Sequence, residues 1–330
     1  MHRYYYRNRL KSATAKQYYD LLLERFCQLD LSGTYVLPDD GKKENLEDAL
    51  SVLQAIEYDW PELFFIGKKM KATQYSHKGE MHVEVDILYD TETARRIQAV
   101  LEKKVKEVCD GLNGLSQWER ECQIYTRLMS MLIYDKSEKL HKYNIVSPLL
   151  TGHGVCEGFS KLLALMLRRG GVPAIVVRAE DAEHMWNVVW IDEKPYHVDI
   201  TWDSVGSMGE LWYKYFNVTK VFIQRKGSHQ SSEAPLCIYE DAEYHHHKRS
   251  FFPNAQRLKP ALLHTLRTGN GPYVIKLGEG NIDEVLKSIL KEAAPGKSYH
   301  YSYEEELNMA CIWATPASAQ NQTERSEPNE

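Results

Sequence analysis

The chain has 330 residues, of which 43% are hydrophobic and 26% are charged, the ordinary mixture for a globular protein with a buried core. Its formal net charge of -5 is small for this length, so we expect neither a nucleic-acid partner nor an anionic membrane surface. No run of about 18 apolar residues is present that could span a bilayer. Composition and charge therefore indicate a globular protein and suggest neither of these partners.

Cysteine usage and the start of the sequence bear on the compartment. The six cysteines are widely spaced, with no CxxC pair and no density typical of a disulfide scaffold. Residues 1–10 are basic and aromatic, and no apolar stretch of a signal peptide follows them. The sequence predicts a reduced, cytoplasmic protein, although an exported protein trimmed of its signal would give the same pattern.

The first third of the chain mixes helical and strand patterns. Apolar residues recur at helical spacing over 12–30 and 45–58, and a charged helix is predicted over 91–112. Apolar and polar residues alternate over 81–87, and 68–75 is the expected hairpin partner of this strand. Residues 1–110 are therefore predicted to form an N-terminal α+β accessory region.

The middle of the chain has the strongest pattern. Ser116 and Glu119 have capping-box spacing and open a helix predicted over 117–134. After a long loop over 135–154, an apolar helix runs over 156–169 and is closed by a glycine pair and a proline. Strands are predicted at 174–178, 184–191 and 196–201. Residues 111–225 are predicted to form the core, with this central helix packed on an antiparallel sheet.

The last third has shorter signals. A helix is predicted over 283–292, with strands at 273–276 and 307–313, so residues 226–314 are interpreted as a C-terminal α+β region. We expect these short elements to complete the sheet begun by the N-terminal hairpin. Residues 315–330 are polar and rich in proline, serine and glutamine, and are predicted to be a disordered tail.

Cys156 stands at the start of the apolar helix, in the segment GVCEGFS. The free N–H groups and the dipole of a helix N-terminus favour an anion and lower the pKa of a thiol there, which makes it a thiolate nucleophile. Free cysteine is also among the most buried residue types, so this segment alone is explained equally well by core packing.

Two later segments supply partners for such a thiol. His184 begins the strand segment HMWNVVW, and Asp199 lies on the next strand in YHVDITWD, across a short turn. In an antiparallel pair these two residues share a face of the sheet, where the carboxylate can hold the imidazole in one tautomer. Core packing alone does not readily explain all three residues in this order, so we interpret Cys156, His184 and Asp199 as a Cys-His-Asp nucleophilic site.

The segments GVCEGFSKLL, HMWNVVW, YHVDITWD and YFNVT resemble the transglutaminase-like superfamily in its bacterial form, over residues 115–220. The resemblance implies a papain-like α+β fold in which Cys156 is the nucleophile, His184 the base and Asp199 its orienting residue. It implies attack on an amide carbonyl followed by acyl transfer to water or to an amine. We find no DxDxDG calcium loop, so neither a metal nor a cofactor is expected.

The expected function is a cysteine-dependent acyl-transfer enzyme, either a peptidase or amidase or a transglutaminase, with a peptide or protein as substrate. The alternative is a catalytically silent binding or scaffold protein of the same fold, with a protein partner on one of its extensions. Trp186 and Trp202 are candidate walls of the substrate cleft, and aromatic core packing explains them equally well. Asp203 is a rival to Asp199, and Tyr143, Asn144 and Ser147 are alternative donors for an oxyanion hole.

Overall fold

The computed structural model describes residues 2–75, 77–137, 142–181, 183–204, 212–227, 229–269, 271–293 and 297–316. The chain divides into two compact units, the first within residues 1–211 and 215–239 and the second within residues 212–214 and 240–330. Among the described residues, no helix is both long and apolar enough to cross a membrane.

The N-terminal part of the first unit combines helices with an antiparallel sheet of strand order β1–β3–β2. Its elements are α1 (Tyr5–Arg9), α2 (Ala13–Cys27), β1 (Thr34–Pro38), α3 (Glu44–Asp59), β2 (Ile66–Tyr75), β3 (Glu80–Ile87) and α4 (Thr91–Val108). Met81, Val83 and Val85 alternate with polar residues along β3 and are buried, as the period of two predicts. The β2–β3 hairpin is confirmed by its antiparallel register.

The rest of the first unit surrounds one buried helix. Its elements are α5 (Gln117–Met129), β4 (Ile133–Tyr134), α6 (Val146–Thr151), β5 (His153–Gly154), α7 (Cys156–Arg169), β6 (Ala174–Arg178), β7 (Met185–Ile191), β8 (Lys194–Val198), α8 (Ile200–Ser204) and α9 (Lys220–Ile223). Helix α7 is buried from Gly158 to Leu167, because apolar residues occupy nearly all of its faces. It packs against strands β6 and β7 of the antiparallel sheet β6–β7–β8, and against helices α5 and α6.

The second unit has its own sheet and core. Its elements are α10 (Tyr244–His247), β9 (Phe251–Phe252), α11 (Ala255–Thr268), β10 (Tyr273–Leu277), α12 (Ile282–Lys291), β11 (Lys297–Glu304) and β12 (Met309–Pro316). The strand order is β11–β12–β10–β9, with β9 parallel to β10 and the other pairs antiparallel. Leucines of α11 and α12, including Leu262 and Leu286, pack with Ile275 and Ile312 of this sheet.

The predicted α+β class, with a central helix packed on an antiparallel sheet, is confirmed. The predicted continuity between the N-terminal hairpin and the C-terminal strands is wrong. Strand β1 completes the N-terminal sheet, whereas the C-terminal strands form a separate sheet. The predicted boundaries at residues 110 and 225 stay a prediction.

Several element limits also differ from the predicted ones. The predicted strand 196–201 ends at Val198 because helix α8 begins two residues later. The predicted loop 135–154 contains helix α6 and the short strand β5. Thr315 and Pro316 belong to β12, so the predicted disorder is wrong for these two, and residues 317–330 lie outside the described residues.

Candidate active site

Cys156 is the first residue of α7, and its thiol is free and half-buried. The preceding residue, Val155, caps the helix without a side-chain hydrogen bond, so the side chain at the cap does not occupy the N–H groups of the first turn. A Cβ atom on Gly158 would lie 2.5 Å from the carbonyl oxygen of Lys142, so glycine lets the loop before α6 approach this turn. The sulfur therefore lies at a helix N-terminus with close backbone around it, a setting that favours an anion.

Ser160 connects this turn to the strand that carries the histidine. Its hydroxyl oxygen lies 2.7 Å from the carbonyl oxygen of Cys156 and 2.9 Å from that of Met185, the first residue of β7. The N–H of Ala179 donates to the carbonyl of His184 at 2.9 Å, which fixes the residue before β7 against the end of β6. Backbone contacts of the helix and the sheet thus set the position of His184 relative to Cys156.

His184 and Asp199 lie at the adjoining ends of β7 and β8, just outside both strands. Nε2 of His184 lies 2.7 Å from Oδ2 of Asp199, whose side chain is fully buried. Oδ1 of Asp199 accepts the backbone N–H groups of Thr201 at 2.9 Å and Trp202 at 3.0 Å. The carboxylate therefore caps α8 with one oxygen and holds the imidazole with the other.

The electrostatics of this group favour a charged imidazole. Burial lowers the pKa of His184, but the Asp199 carboxylate and a hydrogen bond with the Cys156 thiol outweigh it and raise that pKa to about 10. Burial by itself would raise the pKa of Asp199. The charges and hydrogen bonds of His184 and His229 outweigh burial and lower that pKa well below its ordinary value. The arrangement can hold a proton on His184 beside the sulfur across the neutral range.

His229 is a fourth member of the cluster that the sequence patterns did not indicate. It lies on the segment after α9, is fully buried, and places Nε2 2.8 Å from the same Oδ2 of Asp199. Its ring meets Trp202 and Trp186 edge to face, with centroid distances of 4.4 Å and 4.8 Å. No spacing motif marks this residue, since it follows Asp199 by 30 positions, across a connection that includes α8 and α9.

His184, Asp199 and His229 are also residue types that ligate metals. The two imidazole Nε2 atoms and the carboxylate oxygen lie within 4.8 Å of one another. Both nitrogens, however, are at hydrogen-bonding distance from one oxygen, at 2.7 Å and 2.8 Å. Ligands of one ion instead surround it with their donor atoms directed at the metal, so we interpret the group as a hydrogen-bond network.

The two tryptophans predicted to line the cleft differ in exposure. Trp186 is fully buried, lies nearly parallel to the His184 ring, and donates its indole N–H to Nδ1 of His197 at 3.0 Å. Trp202 is half-buried and packs against the rings of both His184 and His229. Trp186 thus supports the imidazole from within the core, and of the two only Trp202 has surface that a substrate could contact.

Asp203, the rival to Asp199, is bound elsewhere. Its Oδ2 accepts the Tyr125 hydroxyl at 2.5 Å, and its Oδ1 accepts the N–H of Tyr215 at 3.2 Å. It therefore joins α5, α8 and the segment after residue 212, and the structure brings Asp199 rather than Asp203 to His184.

None of the hydrogen bonds described for the three candidate oxyanion donors is with the Cys156 thiol. Asn144 Nδ2 donates to the carbonyl of Phe64 at 3.3 Å, the Ser147 hydroxyl donates to that of His153 at 2.8 Å, and Tyr143 is half exposed beside lysines.

Tyr134 of β4, which the sequence did not single out, pairs with Gly154 of β5, two residues before Cys156. Burial raises the pKa of this phenol, and the negative charges of Cys156 and Asp199 raise it further. Among the described residues its hydroxyl has no hydrogen-bond partner, so it is a donor available to a ligand in this part of the domain.

Comparison with known proteins bears on the region that contains this cluster. Residues 89–202 match the model of the transglutaminase-like superfamily. Similar solved structures include a TGase, 13% identical with a TM-score of 0.29, with 54% of this chain and 52% of that chain covered. Another is the periplasmic domain of TgpA from Pseudomonas aeruginosa bound to ethylmercury, 17% identical with a TM-score of 0.25, with 38% and 56% covered.

The chain spans about half the length of the TGase structure. No curated protein matches the sequence. The family match contains Cys156, His184 and Asp199 and ends before His229. Residues 89–202 therefore form a transglutaminase-like domain, as the sequence motifs predicted.

Proposed function

We propose that the protein is a cysteine-dependent acyl-transfer enzyme that acts on amide bonds of peptides or proteins. The observation that carries the proposal is the His184–Asp199 pair, 2.7 Å apart, on a strand that Ser160 ties to the first turn of α7, where Cys156 lies, within a transglutaminase-like domain. Transfer to water is favoured over transfer to an amine, because water requires no second binding site. The substrate is therefore expected to be a peptide amide that is hydrolysed.

The reaction follows from the protonation states of the cluster. The Cys156 thiolate attacks the amide carbonyl carbon, and the imidazolium of His184 gives its proton to the leaving nitrogen as the carbon–nitrogen bond breaks. An amine departs and a thioester remains on the sulfur. His184 then takes a proton from water as the hydroxide adds to the thioester carbonyl, and the carbon–sulfur bond breaks to release the acid and the thiolate.

Two donors are proposed for the oxyanion of the tetrahedral intermediates. One is the backbone N–H of Cys156, which lies in the first turn of α7 where helical N–H groups have no acceptor within the helix. The other is the hydroxyl of Tyr134, whose strand pairs with Gly154 just before α7. Substitution of Tyr134 by Phe is expected to lower kcat by about a hundredfold to a thousandfold with little effect on KM, as for loss of one oxyanion-hole donor.

His229 is proposed as a positioning residue that acts through Asp199. Its hydrogen bond at 2.8 Å and that of His184 at 2.7 Å converge on one oxygen of the carboxylate. With Oδ1 held by the N-terminus of α8, every oxygen of Asp199 is fixed by donors. A carboxylate held this way keeps His184 in the tautomer whose other nitrogen, Nδ1, is free to exchange a proton with the sulfur.

Thiol labelling tests the proposed nucleophile directly. Iodoacetamide at neutral pH is expected to alkylate Cys156 faster than the other five cysteines, with each site followed by mass spectrometry of peptides. Exposure alone would favour Cys27, which is exposed whereas Cys156 is half-buried. Labelling of Cys156 no faster than Cys27 would refute the activated thiolate.

Turnover needs a second measurement. Wild-type protein and the Cys156→Ala variant are incubated with a library of peptide amides, and release of new amino groups is measured. We expect release by the wild type alone. Rapid labelling of Cys156 without any difference in turnover would leave the activated thiol in place and contradict the hydrolase assignment in favour of a silent scaffold.

A further inference from the structure

A cavity of about 290 Å³ lies in the first unit. It is formed by α3, β2, the first turn of α7 and the end of β6. Glu157 on its wall follows Cys156 in the chain, and Arg178 on the opposite wall pairs in the sheet with Met185, the residue after His184. Two wall residues thus neighbour the cluster along the chain or in the sheet, and none of the wall residues is a proposed catalytic one.

Two carboxylates of the cavity wall are already neutralised by lysines. Nζ of Lys161, which is almost fully buried, lies 2.6 Å from Glu57 and 2.6 Å from Glu157. Nζ of Lys68 lies 2.6 Å from the other oxygen of Glu157. These ion pairs use the charges of both glutamates, and burial of Lys161 without them would be costly.

Arg178 is the remaining charge of the cavity wall. Its side chain is half-buried at the end of β6, and it has no hydrogen bond or ion pair with any residue that the structure describes. Its charge acts on Tyr58 and Glu233 only through space, without an ion-pair contact to Glu233. A guanidinium presents a planar fork of N–H donors that matches a carboxylate, so Arg178 is a candidate binding group for an anion.

The other wall residues limit the size and charge of an occupant. Leu53 and Met70 supply apolar surface, and the volume is at the lower end of about 300–1,000 Å³ found for small-molecule sites. With two glutamates and three cations around it, the cavity carries a net charge near +1. One carboxylate satisfies this charge, whereas a doubly charged phosphate would meet repulsion from the glutamates.

We propose that this cavity binds the carboxylate of a small acid with a short apolar body, such as the C-terminal residue of a peptide. Arg178 binds the carboxylate through two parallel N–H donors, and Leu53 and Met70 contact the apolar part. The site is one of binding, and it stands or fails independently of the acyl transfer proposed above.

The test compares an acid with its amide on the full chain, in the Cys156→Ala variant so that neither ligand is turned over. N-acetyl-leucine is expected to bind saturably by isothermal titration calorimetry, and N-acetyl-leucinamide at least tenfold more weakly, since it lacks the charge that Arg178 recognises. Arg178→Gln is expected to weaken binding of the acid by tenfold to a hundredfold, the usual effect of losing charge-assisted hydrogen bonds of about 1.5–3 kcal/mol. Lys69→Gln removes an exposed charge outside the cavity wall and is expected to change nothing.

The outcomes that overturn the proposal are distinct. Equal affinity for acid and amide, no binding of either, or tighter binding of inorganic phosphate than of N-acetyl-leucine each contradicts it. Unchanged affinity in Arg178→Gln would place the acid elsewhere on the protein. If Arg178→Gln fails to fold, Arg178→Lys replaces it. This variant keeps the charge, loses the planar fork of donors, and is expected to bind the acid several-fold more weakly. The comparison of acid with amide uses the protein with its cavity wall unchanged, so it tests the proposal whether or not either variant folds.

Discussion

Substitution of Asp199 by Asn should lower the pKa of His184 sharply. That pKa is raised to about 10 although burial acts in the opposite direction, and the Asp199 carboxylate is the largest cause of the rise. Asparagine removes the charge and leaves the burial. A carboxylate close to an ionisable group shifts its pKa by about one to three units. Full burial and a separation of 2.7 Å put the expected fall at about two to three units.

This fall corresponds to a loss of about 3–4 kcal/mol of preference for the imidazolium, at about 1.36 kcal/mol per pKa unit. In the wild type His184 stays protonated up to about pH 10, so the acyl-transfer rate should decline only above that pH. In Asp199→Asn the decline should move to near-neutral pH, because the proton needed by the leaving nitrogen is lost earlier.

Nuclear magnetic resonance gives the pKa of His184 without knowledge of a substrate. The ring proton is assigned by its disappearance in His184→Gln and is followed between pH 5 and pH 11. Asp203→Asn is the matched control, since this carboxylate is also buried and lies four residues further on, but it accepts hydrogen bonds from Tyr125 and Tyr215. Titration of His184 near pH 6.5 in the wild type, or an equal fall in both variants, would refute the electrostatic reasoning.

Three further outcomes are expected. His229→Phe, which keeps the ring and loses the donor to Asp199, should lower the rate of acyl transfer about tenfold to a hundredfold, and His229→Gln should recover most of it, while melting temperatures of the two remain similar. Burial raises the pKa of Glu121 from 4.5 to about 8, so the folded state retains a proton that the unfolded state loses. This carboxyl should therefore make the free energy of unfolding fall with pH between 4.5 and 8 by up to about 1.4 kcal/mol per unit. In urea titrations Glu121→Gln should remove this contribution and leave the separate one of His184, which begins above about pH 6.5. Lys161→Met should reduce the free energy of unfolding by about 3–5 kcal/mol because it leaves two carboxylates without their buried cation, whereas exposed Lys68→Met should reduce it by less than about 1 kcal/mol.

The parts of the site that the sequence predicted are those encoded by local pattern. Helix α7 is apolar on nearly every face and carries its cysteine in the first turn, so its burial and the place of Cys156 could both be inferred. Alternation in β7 and β8 placed His184 and Asp199 on one face of the sheet, and the contact at 2.7 Å agrees with that parity. These inferences were possible because each pattern lies within one element or two neighbouring strands.

His229 and Tyr134 could not be inferred in the same way. Tyr134 belongs to a two-residue strand whose pairing with β5 depends on the 18-residue connection between them, and His229 reaches Asp199 from an irregular segment. Strand β1 was missed for a related reason. It is five residues long, contains a proline, and becomes a strand only through pairing with β3 about 45 residues away.

The error at the end of β8 explains how Asp199 is held. The sequence predicted a strand through Thr201, but the carboxylate accepts the N–H groups of Thr201 and Trp202, and an acceptor in this position starts a helix. One side chain therefore ends a strand, begins α8 and orients His184. Asp199→Ala should lose both the cap and the contact with His184, and loss of the cap alone should lower the free energy of unfolding by about 0.5–2 kcal/mol. Asp199→Asn keeps an oxygen that can cap the helix. Equal melting temperatures for the two variants would contradict the capping role and leave the contact with His184 as the reason for an aspartate here.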